Sequence, residues 1–455
     1  MNEQKWRIIY IMSDIGAIVL SWLIFCYIRW ELGAIQSFNA FGAFMLAPQR
    51  FLDLAILVAA CLSVFYLTGY YNRCIGRSRI AEILQTIVGT TICTFGIFVF
   101  MLLDDVPDDT RHYYTLLASL ELLLFTITYL TRLHHTHRIT QQIRRGVLTI
   151  PSIIVGDGEA AKEIEEAMTK IKDAWGYKIV ARIAIPTEEL RHLIAQHKVQ
   201  QLVIATDSKD EAFTLKLIDR CFPFLTEIKL YVPKDHYFYG LIKPIDLPTL
   251  PWIDITGNKL SEAEKNIKLL ADRLISFVML LLLSPALLYF AIRVKLESKG
   301  PILFSQPRVG LHGKIFQIYK FRTMTVDPHC DNHLLTQPND PRITRLGNIM
   351  RRYRLDELPQ FWNVLRGDMS LVGPRPEQPY YVEQLLQRTP KYYLLRNVRP
   401  GITSWGVVSY GYANNIDQMI ERLRYDLNYY ENMSLRLDLK IIIYTIRTLV
   451  MGRGM

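Results

Sequence analysis

Disulfide and zinc chemistry are the first things this sequence leaves out. Its 455 residues hold six cysteines (Cys26, Cys61, Cys74, Cys93, Cys221, Cys330), none in a C-x-x-C spacing and none beside paired histidines. That excludes a disulfide framework and a zinc site. A cleavable leader is not expected either, because the first apolar stretch is too long and lacks a small-residue cleavage site. Charged residues make up only 21% and hydrophobic ones 50%, too apolar for an ordinary soluble protein. An intact dinucleotide turn is also missing. In "VGDGEAA" the third glycine is replaced by Ala161, and the strand that follows ends in "IAIPTEE", with proline where a ribose-binding acid belongs. No Tyr-x-x-x-Lys pair stands out after it, which leaves a membrane-bound nucleotide-sugar dehydratase or epimerase as a weaker reading.

What is present begins with apolar runs. Four are long enough to cross a bilayer, about Ile8–Tyr27, Leu52–Tyr70, Ile80–Leu103 and Tyr113–Leu130. Lys5 and Arg7 precede the first, Arg73, Arg77 and Arg79 fill the second loop, and Arg132, Arg138, Arg144 and Arg145 follow the fourth. The third loop, "DDVPDDTRH", is mostly acidic, so both ends of the bundle are expected in the cytoplasm. His134, His135 and His137 sit among those arginines and read as a solvated, membrane-flanking face. Asp14 and Glu121 lie inside spans, where two isolated acids more simply satisfy each other or a backbone group than mark a pathway.

A fifth apolar run, Leu274–Ile292, carries Lys268 and Arg273 on one side and Arg293 and Lys295 on the other, so charge gives it no crossing direction. Ser284-Pro285 interrupts its middle, where proline removes a helix hydrogen bond and bends the chain. A re-entrant helix that enters and leaves on the cytoplasmic face accounts for both features.

Between Pro151 and Asp254 the pattern becomes α/β: "SIIV", a helix over Ala160–Ile171, "YKIVARIAI", a helix over Thr187–Gln196, "QLVIAT", a helix near Asp210–Cys221, then "EIKLYV". Such alternation predicts a Rossmann-like parallel-sheet module, here one that has lost cofactor binding. Residues Leu247–Ala263 link it onward.

Past Gly300 the charges become ordered. "PILFSQPRVGLHGKIFQIYKFRTM" reads as a hairpin around "GLHGK". In its second arm Lys320 and Arg322 alternate with aromatics, so both cations are expected on one face. Arg375 stands between Pro374 and Pro376, which fix the backbone and present a planar guanidinium suited to phosphate. Asp356 and Glu357 are adjacent in "RYRLDELPQ"; Leu355, Leu358, Trp362 and Leu365 recur beside them at helical spacing and predict a buried anchor. Fixed cations with Arg351 and a carboxylate pair suggest a diphosphate site. The loop "RNVRPGITSWGVVSYG" is expected near the nucleotide, and the basic, apolar C-terminal stretch as an interfacial helix or a buried packing helix rather than a span.

"KFRTM", "DPRITRLGNIMRR", "LDELPQFWNVLRGDMSLVGPRP", "RPGIT" and "YDLNYYENMSLRLDLKIIIYTI" follow one another as in the bacterial polyprenyl-phosphate glycosyl-1-phosphate transferases, which the chain resembles from about Ala263 to its C terminus. The four spans and α/β module ahead resemble the large subfamily of these monotopic phosphoglycosyl transferases. The resemblance implies transfer of a sugar-1-phosphate from a UDP-sugar to undecaprenyl phosphate at the inner face of the bacterial inner membrane, with release of UMP. That is the first membrane step of exopolysaccharide, capsule or O-antigen assembly. It implies Asp356 as nucleophile through a covalent aspartyl-phosphosugar, Glu357 as its helper, and Mg2+ bridging the diphosphate near both acids. Arg351 and Arg375 would bind phosphate, with Lys320 and Arg322 as the basic "KFR" residues. One departure is visible: Arg354 stands where the family usually has a small polar residue.

The expected architecture is therefore a multi-domain membrane protein: a four-helix transmembrane bundle (residues 1–135), a Rossmann-like module (136–258), and a mostly α catalytic domain anchored by the re-entrant helix (259–455). The net charge of +10 fits anionic lipid and phosphorylated substrate as partners. Nucleic acid is not expected, and homo-oligomerisation is left open. A non-enzymatic scaffold for polysaccharide assembly is the other rival, but it leaves the ordered acids, arginines and prolines unexplained.

Overall fold

The computed structural model describes residues 3–31, 41–74, 77–104, 110–171, 175–207, 211–224, 226–231, 252–257, 259–325 and 340–451. Cys330, residues 105–109 of the acidic loop and part of the Leu247–Ala263 linker lie outside these. The chain divides into two compact units. One comprises Met1–Thr149, Lys170–Tyr177 and Ser261–Asn266; the other comprises Ile150–Thr169, Lys178–Leu260 and Ile267–Met455.

The first unit is built from α1 (Glu3–Glu31), the short α2 (Phe41–Met45), α3 (Pro48–Leu67), α4 (Arg79–Asp104) and α5 (Thr110–Arg144). All but α2 carry stretches long and apolar enough to cross a membrane. Ile8, Met12, Phe51, Ile80, Phe95 and Leu122 are exposed on their outer faces, as a lipid-facing surface requires. Helix α5 has 35 residues and continues well past the expected end at Leu130. At about 1.5 Å per residue it is longer than a bilayer core.

Its extension corrects the reading of two acids. Arg132 is not a solvated flanking charge: it is buried and forks onto Asp14, Nε to Oδ1 at 3.0 Å and Nη2 to Oδ2 at 2.7 Å. Tyr71 donates to the same carboxylate at 2.7 Å, and Arg132 Nη1 donates to Thr86 at 3.0 Å. Glu121 does not meet Asp14 either; it accepts from Thr90, Thr91 and Thr94 of α4. Asp14, which is buried, and the half-buried Glu121 have each found donors on a neighbouring helix, the condition under which charge survives burial.

The second unit opens with an α/β layer. Strands β1 (Ile150–Val155), β2 (Tyr177–Ile183), β3 (Gln201–Ile204), β4 (Glu227–Tyr231) and β5 (Trp252–Asp254) alternate with α6 (Glu159–Lys170), α7 (Glu188–His197) and α8 (Glu211–Cys221). Their order is β2-β1-β3-β4-β5. β1–β3 and β3–β4 are parallel, but β5 runs antiparallel on β4, pairing Lys229 with Asp254 and Tyr231 with Trp252. The sheet is mixed rather than all parallel. "WID" is too short for a strand pattern to show in the sequence. At the glycine turn Gly156 takes φ 143°, and the N–H of Ala160, in the first turn of α6, donates to the Asp207 carboxylate at 2.6 Å.

Next come α9 (Glu262–Leu282) and α10 (Ser284–Glu297), bent by 63° at Leu283. The break falls where Ser284-Pro285 placed it. β6 (Leu303–Val309) and β7 (Ile315–Phe321) form the expected antiparallel hairpin, in register from Leu303↔Phe321 to Val309↔Ile315. His312 and Gly313 close its tip with φ of 54° and 75°. The remainder is mostly helical: α11 (Arg345–Arg352), a 3-10 turn over Leu355–Glu357, α12 (Gln360–Arg366), α13 (Pro379–Arg388), α14 (Trp405–Ser409), α15 (Ile416–Glu431) and α16 (Leu435–Val450). Two short parallel strands, β8 (Ser370–Val372) and β9 (Gly401–Thr403), tie it together.

One continuous core runs through this unit, from Ile153, Leu202 and Phe222 of the α/β layer to Leu395, Leu423 and Tyr430. Polar contacts follow the same path: Tyr430 donates to the carbonyl of Thr256 at 2.9 Å, and Asn397 to the same oxygen at 3.2 Å.

Candidate active site

The acid pair sits on a tight turn. Arg354 adopts φ 54°, ψ 28°, a left-handed conformation rare for a residue with a side chain, and the chain then makes the single 3-10 turn Leu355–Glu357 before Pro359 caps α12. Turning so sharply directs Asp356 and Glu357, both buried, inward together. The helical stripe does not continue through them. Trp362 is 50% exposed, while α12 buries Gln360, Asn363 and Val364. Asn363 is the tie: its amide donates to the carbonyl of Gln317 at 2.7 Å and its oxygen accepts from the Tyr319 N–H at 3.1 Å. Acid turn and β7 are thereby locked in one register, which delivers Lys320 to the acids.

Lys320 Nζ lies 2.7 Å from Glu357 Oε1, and Arg375 Nη2 lies 3.3 Å from the same oxygen. Burial works against ionisation of Glu357, but Lys320, Arg375 and Arg354 together overcome it and hold the carboxyl far below the usual range. Asp356 behaves oppositely. Burial pushes it up to about 6, with Lys320 and Arg351 pulling against that and Glu357 adding to it. Two adjacent carboxyls have been driven apart, one held well below the usual carboxylate range and the other pushed up to about 6; such separation is common where groups react.

Arg351 stands on α11 with Nε donating to Thr323 Oγ1 at 2.9 Å, and its charge acts on Asp356. Arg375 borders an opening lined also by Gly310, Pro376, Arg396 and Pro400, so the "RNVRPGIT" loop does approach the site. Arg322 does not join the acids. Its Nη2 donates to the carbonyl of Ser298 at 2.6 Å and to Ser298 Oγ at 2.9 Å, at the end of α10. Val294 of α10, Phe321 and Met350 pack there in a small cluster of their own. Tyr412 was not singled out from the sequence. Its ring centroid is 4.9 Å from the Arg375 guanidinium carbon and 5.0 Å from that of Arg354. Only the "YGY" after the loop, an aromatic repeat around a glycine, could have flagged it.

Among the described residues no group of three or more His, Cys, Asp or Glu side chains is placed to cage a metal. Mg2+ rarely needs one: it usually takes one or two carboxylates and completes its shell with substrate phosphates and water. Asp356 and the second oxygen of Glu357 fit that role, since Lys320 and Arg375 occupy only Oε1.

One unit thus carries apolar helices and the other a buried carboxylate pair ringed by cations, an arrangement that suits an anionic ligand. The comparisons with known proteins then give the family. Residues 263–452 match the family described as bacterial sugar transferase. The chain is 45% identical over 183 residues to the UDP-N-acetylgalactosamine-undecaprenyl-phosphate N-acetylgalactosaminephosphotransferase of Aeromonas hydrophila, covering 40% of this chain and 43% of that protein. It is 36% identical over 254 residues to the UDP-glucose:undecaprenyl-phosphate glucose-1-phosphate transferase of Escherichia coli, covering 55% and 54%. With the uncharacterized sugar transferase EpsL of Bacillus subtilis it shares 38% identity over 192 residues, 41% of this chain and 89% of that protein. The chain spans about half the length of the first two, 43% and 54%. The chain belongs to the bacterial sugar transferase family.

Proposed function

We propose that the chain transfers a sugar-1-phosphate from a UDP-sugar to undecaprenyl phosphate and releases UMP. The observation that carries this reading is the split acid pair: Glu357 is tied to Lys320 and Arg375, while among the described residues the Asp356 carboxylate makes no side-chain ion pair. An oxygen of Asp356 attacks the sugar-bearing phosphorus, the bond from that phosphorus to the bridging oxygen breaks, and UMP departs with the electron pair. A phosphate oxygen of the polyprenyl acceptor then attacks the same phosphorus, and the Asp356–phosphorus bond breaks to regenerate the carboxylate. Lys320, Arg351 and Arg375 hold the phosphoryl oxygens as charge moves. Mg2+, carried in with the diphosphate beside Asp356 and Glu357, would neutralise that charge further.

The bent helix supports a monotopic anchor at the cytoplasmic face of the inner membrane. Leu274, Phe277, Leu281, Leu288 and Ile292 are exposed along its two arms. Each arm offers about nine apolar residues next to the break, about 13 Å at 1.5 Å per residue, which reaches only halfway into a core of about 30 Å. With basic residues at both ends, a hairpin that returns to its own side fits this length and charge.

Exchange of labelled UMP into the UDP-sugar without lipid acceptor tests the mechanism. The wild type exchanges and Asp356→Asn does not, because an amide is a far weaker nucleophile. Exchange that required the lipid would show instead that the acceptor phosphate attacks directly.

A further inference from the structure

Resting on that reading of the site, we infer that Arg354 is an additional phosphate-binding residue, and that Tyr412 is the platform that positions it beside Arg375. The inference starts from charge. Lys320, Arg351, Arg354 and Arg375 act on Asp356 and Glu357, four cations against two acids. A partly buried cluster with that surplus is complete only when an anion joins it. Arg308 does not add to the excess, because Glu377 lies 3.5 Å away and the Pro376 carbonyl accepts from it at 3.0 Å.

Arg354 is the member without a fixed partner. Lys320 and Arg375 are bonded to Glu357 and Arg351 to Thr323, whereas among the described residues the Arg354 guanidinium makes no hydrogen bond and its Nε is buried without one. Its backbone is held left-handed, at a cost of about 1–2 kcal/mol that a glycine would not incur. Keeping an arginine there returns something only if the guanidinium has work to do. The Tyr412 ring, 5.0 Å away, restrains the side chain without using any of its donors, so the planar fork stays open for phosphate oxygens. Arg375 shares the same ring at 4.9 Å. The two forks are thus placed by one aromatic side chain. The phosphate is either the nucleotide-sugar diphosphate or the polyprenyl phosphate, both of which must visit this site.

Calorimetric titration of the full chain, in detergent with Mg2+, separates the two sources by using UDP in one arm and a short-chain polyprenyl phosphate in the other. Arg354→Asn removes the charge but suits the left-handed backbone, so its thermal midpoint is expected to match wild type. It should weaken one ligand about tenfold, as loss of one charged hydrogen-bonding contact implies. A loss confined to UDP assigns the contact to the donor; one confined to the lipid phosphate assigns it to the acceptor. Arg354→Lys, with the charge but not the fork, should fall between. Tyr412→Leu should weaken the same ligand, and Tyr412→Phe should recover most of the loss. In UMP exchange a donor contact appears as a raised KM with kcat changed much less. If Arg354→Asn and Arg354→Lys both bind UDP and polyprenyl phosphate within about twofold of wild type, the inference is overturned. A wild type that binds both ligands but never exchanges UMP would refute the proposed reaction and leave this one standing.

Discussion

At the scale of single residues the acid pair makes a pH prediction. Burial pushes Asp356 up to about 6, and in the proposed mechanism it reacts as the anion. kcat/KM for UMP exchange should therefore be flat above that pH and fall about tenfold per unit below it. Glu357→Gln removes a negative neighbour that raises Asp356, so the acid limb should move to lower pH while turnover slows. A limb that moved upward, read from pH profiles of the two proteins, would mean that Glu357 acts on the reaction by some other route. Asp356, Glu357, Lys320 and Arg375 were readable from sequence because an adjacent acid pair, a strand alternation and a proline-flanked arginine are all local patterns. Arg322 misled because β7 ends at Phe321, one residue before the alternation would have placed it. Trp362 misled for a similar reason: the helix begins at Gln360, after a 3-10 turn, so Leu355 and Leu358 do not share its phase. Tyr412 comes from a loop with no periodicity to read.

At the scale of elements the break at Leu283 bends α9 and α10 by 63° and sets the proposed anchor. Proline explains why it was legible: Pro285 falls in the first turn of α10, where its missing N–H costs nothing, and cannot extend α9. Pro285→Leu should let the two helices straighten, with UMP exchange falling several-fold at unchanged expression. In the wild type, cysteines introduced at Ser261 and Lys299 should label from the same side of sealed vesicles. Labelling from opposite sides would show a full crossing. The last helix points the same way. Leu439, Ile443, Ile446 and Val450 are exposed and spaced by four, three and four residues, an apolar stripe that suits an interface. The length of α5 was harder to read. Past Leu130 its threonines, histidines and arginines give no apolar signal, although Arg132, Thr136 and Ile139 are buried.

At the scale of the whole molecule the α/β layer and the acid pair belong to one compact unit with one core. All the side chains around the acids nevertheless come from residues after Gly300. A chain beginning at Ser261 should therefore keep UMP exchange within about tenfold of the full protein, but melt at least roughly 5 °C lower, since loss of the α/β layer uncovers Leu395 and Tyr430. Loss of exchange by a chain that still melts cooperatively would place part of the site in that layer. The βα alternation was visible because each strand is a short apolar run bounded by turn residues. That the layer shares its core with distant helices was not, because packing between remote segments leaves no local period.

Asp14 and Arg132 are 118 positions apart in the chain. Breaking a buried pair by removing one partner costs about 3–5 kcal/mol, because the other is left buried without its counter-charge. The contact therefore makes α1 and α5 depend on each other across the length of the bundle, and Asp14→Asn or Arg132→Leu alone is expected to destabilise both helices.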